Sequence, residues 1–133
     1  MVDNIKAFDI VVVTILAKLY KNFPEKINIE CELFCAELEI EGYSLDKKIK
    51  LCSATMEFLQ ENGFVLSNTK VPSIGWAKVG LTMKGLSALR SEPQSLKKGE
   101  SIGEKLKNAF EVGSIDLAVQ MSQNALNALF NIR

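Results

Sequence analysis

Three cysteines, a group of lysines and a complete lack of histidine set the limits of the chemistry open to this 133-residue chain. Cys31 and Cys35 lie four apart, which on a helix puts both thiols on one face, and Cys52 is the third. No CxxC pair marks a zinc or dithiol site. The expectation is reduced, semi-buried thiols that behave as small apolar groups, with no metal and no cofactor. A nucleophilic Cys31 or Cys35 would need positive neighbours, whereas Glu30, Glu32 and Glu37 stand close in sequence and would raise a thiol pKa. Without imidazole there is no Ser-His-Asp or Cys-His arrangement. No GxxxxGKS, GxGxxG or GxSxG signature is present either. Glu37 and Glu41, one helical turn apart, read as a solvated face rather than an acid/base pair. The chain reads as a non-enzyme.

The lysines point elsewhere. Lys47, Lys48 and Lys50 cluster at the start of a helical segment, and Lys70 and Lys78 follow in a strand-rich stretch. Ammonium groups so placed can contact phosphates, with Ser44, Ser53 and Thr55 adding hydrogen bonds. Sixteen basic and sixteen acidic residues give zero net charge, so a polycationic coat is excluded. The zero is uneven. Residues 25–41 hold Lys26 against Glu25, Glu30, Glu32, Glu37, Glu39 and Glu41, net −5, while 42–91 carry net +4. There is no arginine before Arg90, and bidentate guanine reading by arginine is the commonest specific base contact. The affinity of these lysines would depend on salt and discriminate little between sequences.

The elements that position these residues follow from periodicity. Residues 3–21, capped by Asp3-Asn4, show apolar residues at helical spacing, with Phe8, Val12, Ile15, Leu16 and Leu19 on one buried face. Lys26 to Ile29 alternates as a short strand. From Glu30 a second helix carries Leu33, Phe34, Leu38 and Ile40 inward until Gly42 stops it. Ser44 caps a third helix, 44–62, with Leu45, Ile49, Cys52, Met56 and Leu59 inward. Phe64 to Leu66 is a strand, Asn68 to Gly75 a loop, and Trp76 to Leu81 the returning strand of a two-stranded hairpin. Thr82 caps a fourth helix, Met83 to Arg90. Trp76 is expected to pack at the hairpin base. The class is mainly α with a small β-hairpin (α+β).

Helix, strand, two helices, hairpin and helix make the order of a winged helix-turn-helix. Two stretches carry a resemblance. Ala54-Thr55-Met56-Glu57-Phe58-Leu59-Gln60-Glu61-Asn62-Gly63-Phe64-Val65 resembles the junction of a recognition helix with the first wing strand. Leu81-Thr82-Met83-Lys84-Gly85-Leu86-Ser87-Ala88-Leu89 is similar to the LTxKGxxxL exit from a wing. The chain thus resembles bacterial or phage winged helix-turn-helix proteins of the transcriptional-regulator kind. That implies a domain over 1–91 that contacts duplex DNA through helix 44–62 and the 68–78 wing, with Lys47, Lys48, Lys50, Ser53, Lys70 and Lys78 as contacts. The alternative is a winged-helix protein–protein interaction module without DNA binding, using the acidic second helix.

Residues 92–133 read as a polar linker and C-terminal helices that pack and dimerise. Ile115, Val119, Ser122, Leu126 and Leu129 recur at four-three-four-three spacing, and the apolar members Ile115, Val119, Leu126 and Leu129 are the expected homodimer contact; the alternative is a brace that folds back on the first helix. The longest apolar run, Ile10 to Ala17, is too short to span a bilayer, and the first residues lack the basic region of a signal peptide. A cytoplasmic protein without a membrane partner is expected.

Overall fold

The computed structural model describes residues 3–71, 75–90, 101, 103–104 and 107–108. Their order is α1 (Asn4–Asn22), β1 (Ile27–Glu30), α2 (Cys31–Ala36), α3 (Leu45–Glu61), β2 (Val65–Leu66), β3 (Thr69–Val71), β4 (Gly75–Leu81) and α4 (Met83–Arg90). Among the described residues the class is α+β, with these four helices and a small antiparallel sheet.

α1 is the centre of the molecule rather than a one-sided helix. Every residue from Asp9 to Ala17 is buried, together with Ala7 and Leu19. The unbroken run Ile10–Val13 makes this segment apolar around its circumference, and a helix of that kind is stable only when covered all round. Ile5, near its start, is 63% exposed. Asp3 caps the helix by accepting from the Lys6 amide at 2.8 Å, which satisfies one of the four free N–H groups of the first turn. Thr14 is tolerated inside because its hydroxyl donates to the Ile10 carbonyl at 2.7 Å.

The second helix is shorter than its apolar pattern suggests. It ends at Ala36, and Leu33 is exposed, whereas Leu38 and Ile40 are buried from an irregular stretch. Glu37, Glu39 and Glu41 alternate with Leu38 and Ile40 as exposed and buried positions. That period of two belongs to extended chain, not helix. α3 keeps its expected bounds, with the Ser44 hydroxyl accepting from the Lys47 amide at 3.3 Å. Cys52, Met56 and Leu59 are fully buried, while Leu45 lies at the surface.

α3 ends in a hydrogen-bonded turn. The Phe64 amide donates to the Leu59 carbonyl at 2.9 Å and the Gly63 amide to Gln60 at 3.1 Å, with Gly63 at φ +77°. This is the left-handed closure that glycine permits without a Cβ clash.

The chain then enters the sheet. β4 is its central strand. β1 pairs along one edge (Ile27↔Val79, Ile29↔Trp76, Glu30↔Gly75), and β2 (Val65↔Leu81) and β3 (Lys70↔Trp76) share the other. The stretch expected as a loop over 68–75 therefore contains a strand, because the open edge of β4 offers backbone partners. The expected two-stranded hairpin is accordingly extended by β1. Gly75, at φ +138°, lies against the Ile29 carbonyl, where any Cβ would collide. Trp76 is buried.

The exit from the sheet explains the Leu-Thr-x-Lys-Gly sequence in structural terms. The Thr82 hydroxyl donates to carbonyls of Gly63 and Phe64 and accepts from the Gly85 amide at 3.0 Å, so one side chain caps α4 and ties it to the end of α3. A Cβ at Gly85 would strike the Phe64 carbonyl. Lys84 donates to the Asn62 carbonyl at 3.0 Å, a cation at the negative end of α3.

Candidate nucleic-acid interface

α3 exposes Lys47, Lys50, Ala54, Glu57 and Glu61, residues three and four apart that form one ridge along its surface. Its first half is basic and its second half acidic. The helix N-terminus adds partial positive charge beside the lysines. An anionic polymer is thus favoured at the start of α3 and repelled at its end. Lys47 holds its ammonium 4.8 Å from the centroid of the Tyr43 ring, and Lys50 is exposed. Ser53 is half-buried.

Lys48 is placed differently. It is half-buried, and its ammonium donates to the Leu38 carbonyl at 2.8 Å, tying the acidic stretch before α3 to the helix. The next contact inward is the Cys35 thiol, which donates to the Lys48 carbonyl at 3.3 Å. Of the three α3 lysines read from the sequence as phosphate contacts, the structure gathers Lys47 and Lys50 on one ridge and turns Lys48 inward.

Lys78 lies in β4 at a bulge. Between the pairs Ile27↔Val79 and Ile29↔Trp76 the central strand carries one residue more than β1. Lys78 absorbs it at φ +51°, an uncommon conformation for a residue with a Cβ, and its amide donates to the Asn28 side chain at 3.1 Å. The Lys78 side chain is exposed. Lys70 is in β3, opposite Trp76, and its side chain is outside the description. The proposed dimer seam, Ile115, Val119, Leu126 and Leu129, also lies outside the described residues.

A second feature went unread in the sequence. A cavity of about 280 Å³ opens between α1, β1 and α2, with Ile29 and Phe34 buried at its wall, Leu33 66% exposed beside it, and Lys18, Glu30 and Glu37 around it. Lys18 stands 5.4 Å from the Phe34 ring centroid.

The three thiols are free and buried. Cys52 is held well above the usual thiol range by hydrogen bonds with Cys31 and Cys35 and by burial. Cys35 is lowered by its hydrogen bond with Cys52, against the opposing effect of burial. Among the described residues no group of three or more histidine, cysteine or carboxylate side chains is arranged to hold a metal ion. No helix among them is long and apolar enough to cross a membrane.

Comparison with known proteins adds no relative: the chain matches no protein-family model, no curated protein and no solved structure.

Proposed function

We propose that the described elements up to Arg90 form a winged helix-turn-helix domain that binds duplex DNA, in the manner of a transcriptional regulator. The element order supports the domain: α2 and α3 follow a short strand, α3 runs directly into a hairpin, and β1 joins that hairpin at β4. One observation carries the DNA reading. The exposed ridge of α3 changes sign along its length, with Lys47 and Lys50 at the end that helix-turn-helix proteins direct into the major groove. Lys78 on the sheet bulge supplies a further backbone contact, with Lys70 in the neighbouring strand. Contacts of this kind bind phosphate and read little sequence.

The test is fluorescence anisotropy of a labelled duplex titrated with the protein and with a Lys47→Glu/Lys50→Glu variant. Reversing two phosphate contacts should abolish measurable binding at moderate salt. Unchanged affinity would sink the proposal.

A protein-interaction module is the second reading, and the Lys48–Leu38 hydrogen bond favours it. That bond anchors exposed Glu37 and Glu39 close to the start of α3, where they oppose phosphate. The groove beside Leu33, bordered by Glu30 and Glu37, suits a partner segment that carries an apolar side chain between basic residues. This reading predicts no DNA affinity even at low salt.

A further inference from the structure

A separate cavity of about 320 Å³ lies between the end of α1, α4 and the described helical residues of 103–108. Its apolar wall is Tyr20, Phe23 and Leu86, and its charged wall is Lys21, Arg90, Lys107 and Glu104. The walls are fixed to each other. Gly103 sits so close to Tyr20 that a Cβ there would lie 2.5 Å from the ring. The Tyr20 hydroxyl donates to Glu104 Oε1 at 3.3 Å. Among the described lining residues there are thus three cations and one carboxylate, and that carboxylate already accepts from a phenol. Placement at the C-terminus of α4 explains Arg90 alone through the helix dipole, but not Lys21 and Lys107 from two other segments.

We propose that this cavity binds a small organic anion: a carboxylate or phosphate joined to one planar apolar group. Arg90 and Lys107 take the acidic end, since a guanidinium presents a planar fork that matches two anionic oxygens. The ring lies against Phe23, which is 40% exposed, and the Tyr20 edge. The volume sits at the bottom of the range of about 300–1,000 Å³ for small-molecule sites, so one ring fits and a dinucleotide does not. None of the described lining residues belongs to α3, so the site stands or falls independently of DNA binding.

The experiment is calorimetric titration of the full chain with phenyl phosphate, with inorganic phosphate and phenol as the two half-probes. Saturable one-site binding is expected, about tenfold or more tighter than either half-probe, because both walls must contribute. Arg90→Gln should weaken it about tenfold, the size of one lost charged hydrogen bond, and Phe23→Ala should weaken it as well. Arg90 and Phe23 reach the surface, so both variants should stay folded, with thermal melts still cooperative and lowered by only a few degrees. No saturation by about 10 mM, inorganic phosphate binding as tightly as phenyl phosphate, or full affinity in an Arg90→Gln/Lys107→Gln variant would each overturn the proposal.

Discussion

The Lys48 ammonium donates a hydrogen bond to the Leu38 carbonyl, 2.8 Å away, and by doing so fastens the acidic stretch between α2 and α3 to the first turns of α3. A residue of the type that binds phosphate here serves the fold. Lys48→Met keeps the aliphatic stem and deletes the donor. It should destabilise the protein by about 1–2 kcal/mol in urea denaturation, the cost of leaving a partly buried carbonyl without its charged partner. Its DNA affinity should change far less than that of Lys50→Met, which should leave stability within about 0.5 kcal/mol of the parent. The opposite ranking would mean that Lys48 leaves Leu38 to meet the nucleic acid.

Thr82 joins three segments through one hydroxyl. Thr82→Val retains the shape and removes both its donor and its acceptor functions toward Gly63, Phe64 and Gly85. A loss of about 1–2 kcal/mol is expected, as for other helix caps, with the urea midpoint lowered and the slope unchanged. Gly85→Ala should cost more than 1 kcal/mol, since the added methyl meets the Phe64 backbone rather than a side chain that can move. Equal stability of both variants with the parent would show that this joint contributes nothing.

These two joints mark where the sequence was readable and where it was not. α1 and α3 were legible because each combines a capping residue with a long periodic pattern, and the short α4 because of its cap: Asp3, Ser44 and Thr82 all cap as their types suggest. β3 was hidden, because a three-residue strand carries no periodicity of its own and forms where the edge of β4 needs a partner. The true end of α2 was written in the alternation from Glu37 to Glu41, which a helical reading of Leu38 and Ile40 passes over. At the candidate interface, sequence named the lysines but not their directions. Lys47 and Lys50 face solvent and Lys48 does not, a distinction that rests on a carbonyl ten positions away.

Asp9 is buried in α1, and its carboxyl is raised above the ordinary 3.8, first by burial and then by the Asp3 carboxylate. The folded protein therefore holds this proton more tightly than the unfolded chain. The stability this group contributes is complete below the unfolded value and is lost as pH rises through the raised folded value. At pH 7 the ionised group opposes folding. Asp9→Asn should raise the melting temperature at pH 7, and the gain should shrink as pH is lowered toward 4. A variant less stable than the parent at pH 7 would contradict this assignment.

Cys31, Cys35 and Cys52 are buried, so a thiol reagent can reach them only when the structure opens. With Ellman's reagent the native protein should release almost no chromophore on the timescale of seconds, and in denaturant all three thiols should react at once. Sub-denaturing urea should accelerate the native reaction in step with the fall in stability. A fast-reacting thiol in the native protein would contradict the burial of all three.

Binding of duplex DNA at two or more salt concentrations tests the central claim most directly. If Lys47 and Lys50 each neutralise a phosphate, log affinity should fall linearly with log salt. The Lys47→Ala/Lys50→Ala variant should reduce the magnitude of that slope by about two, because each contact releases close to one counterion. A parent protein without measurable affinity at low salt, or a slope that the double substitution leaves unchanged, would contradict the assignment of this ridge to DNA.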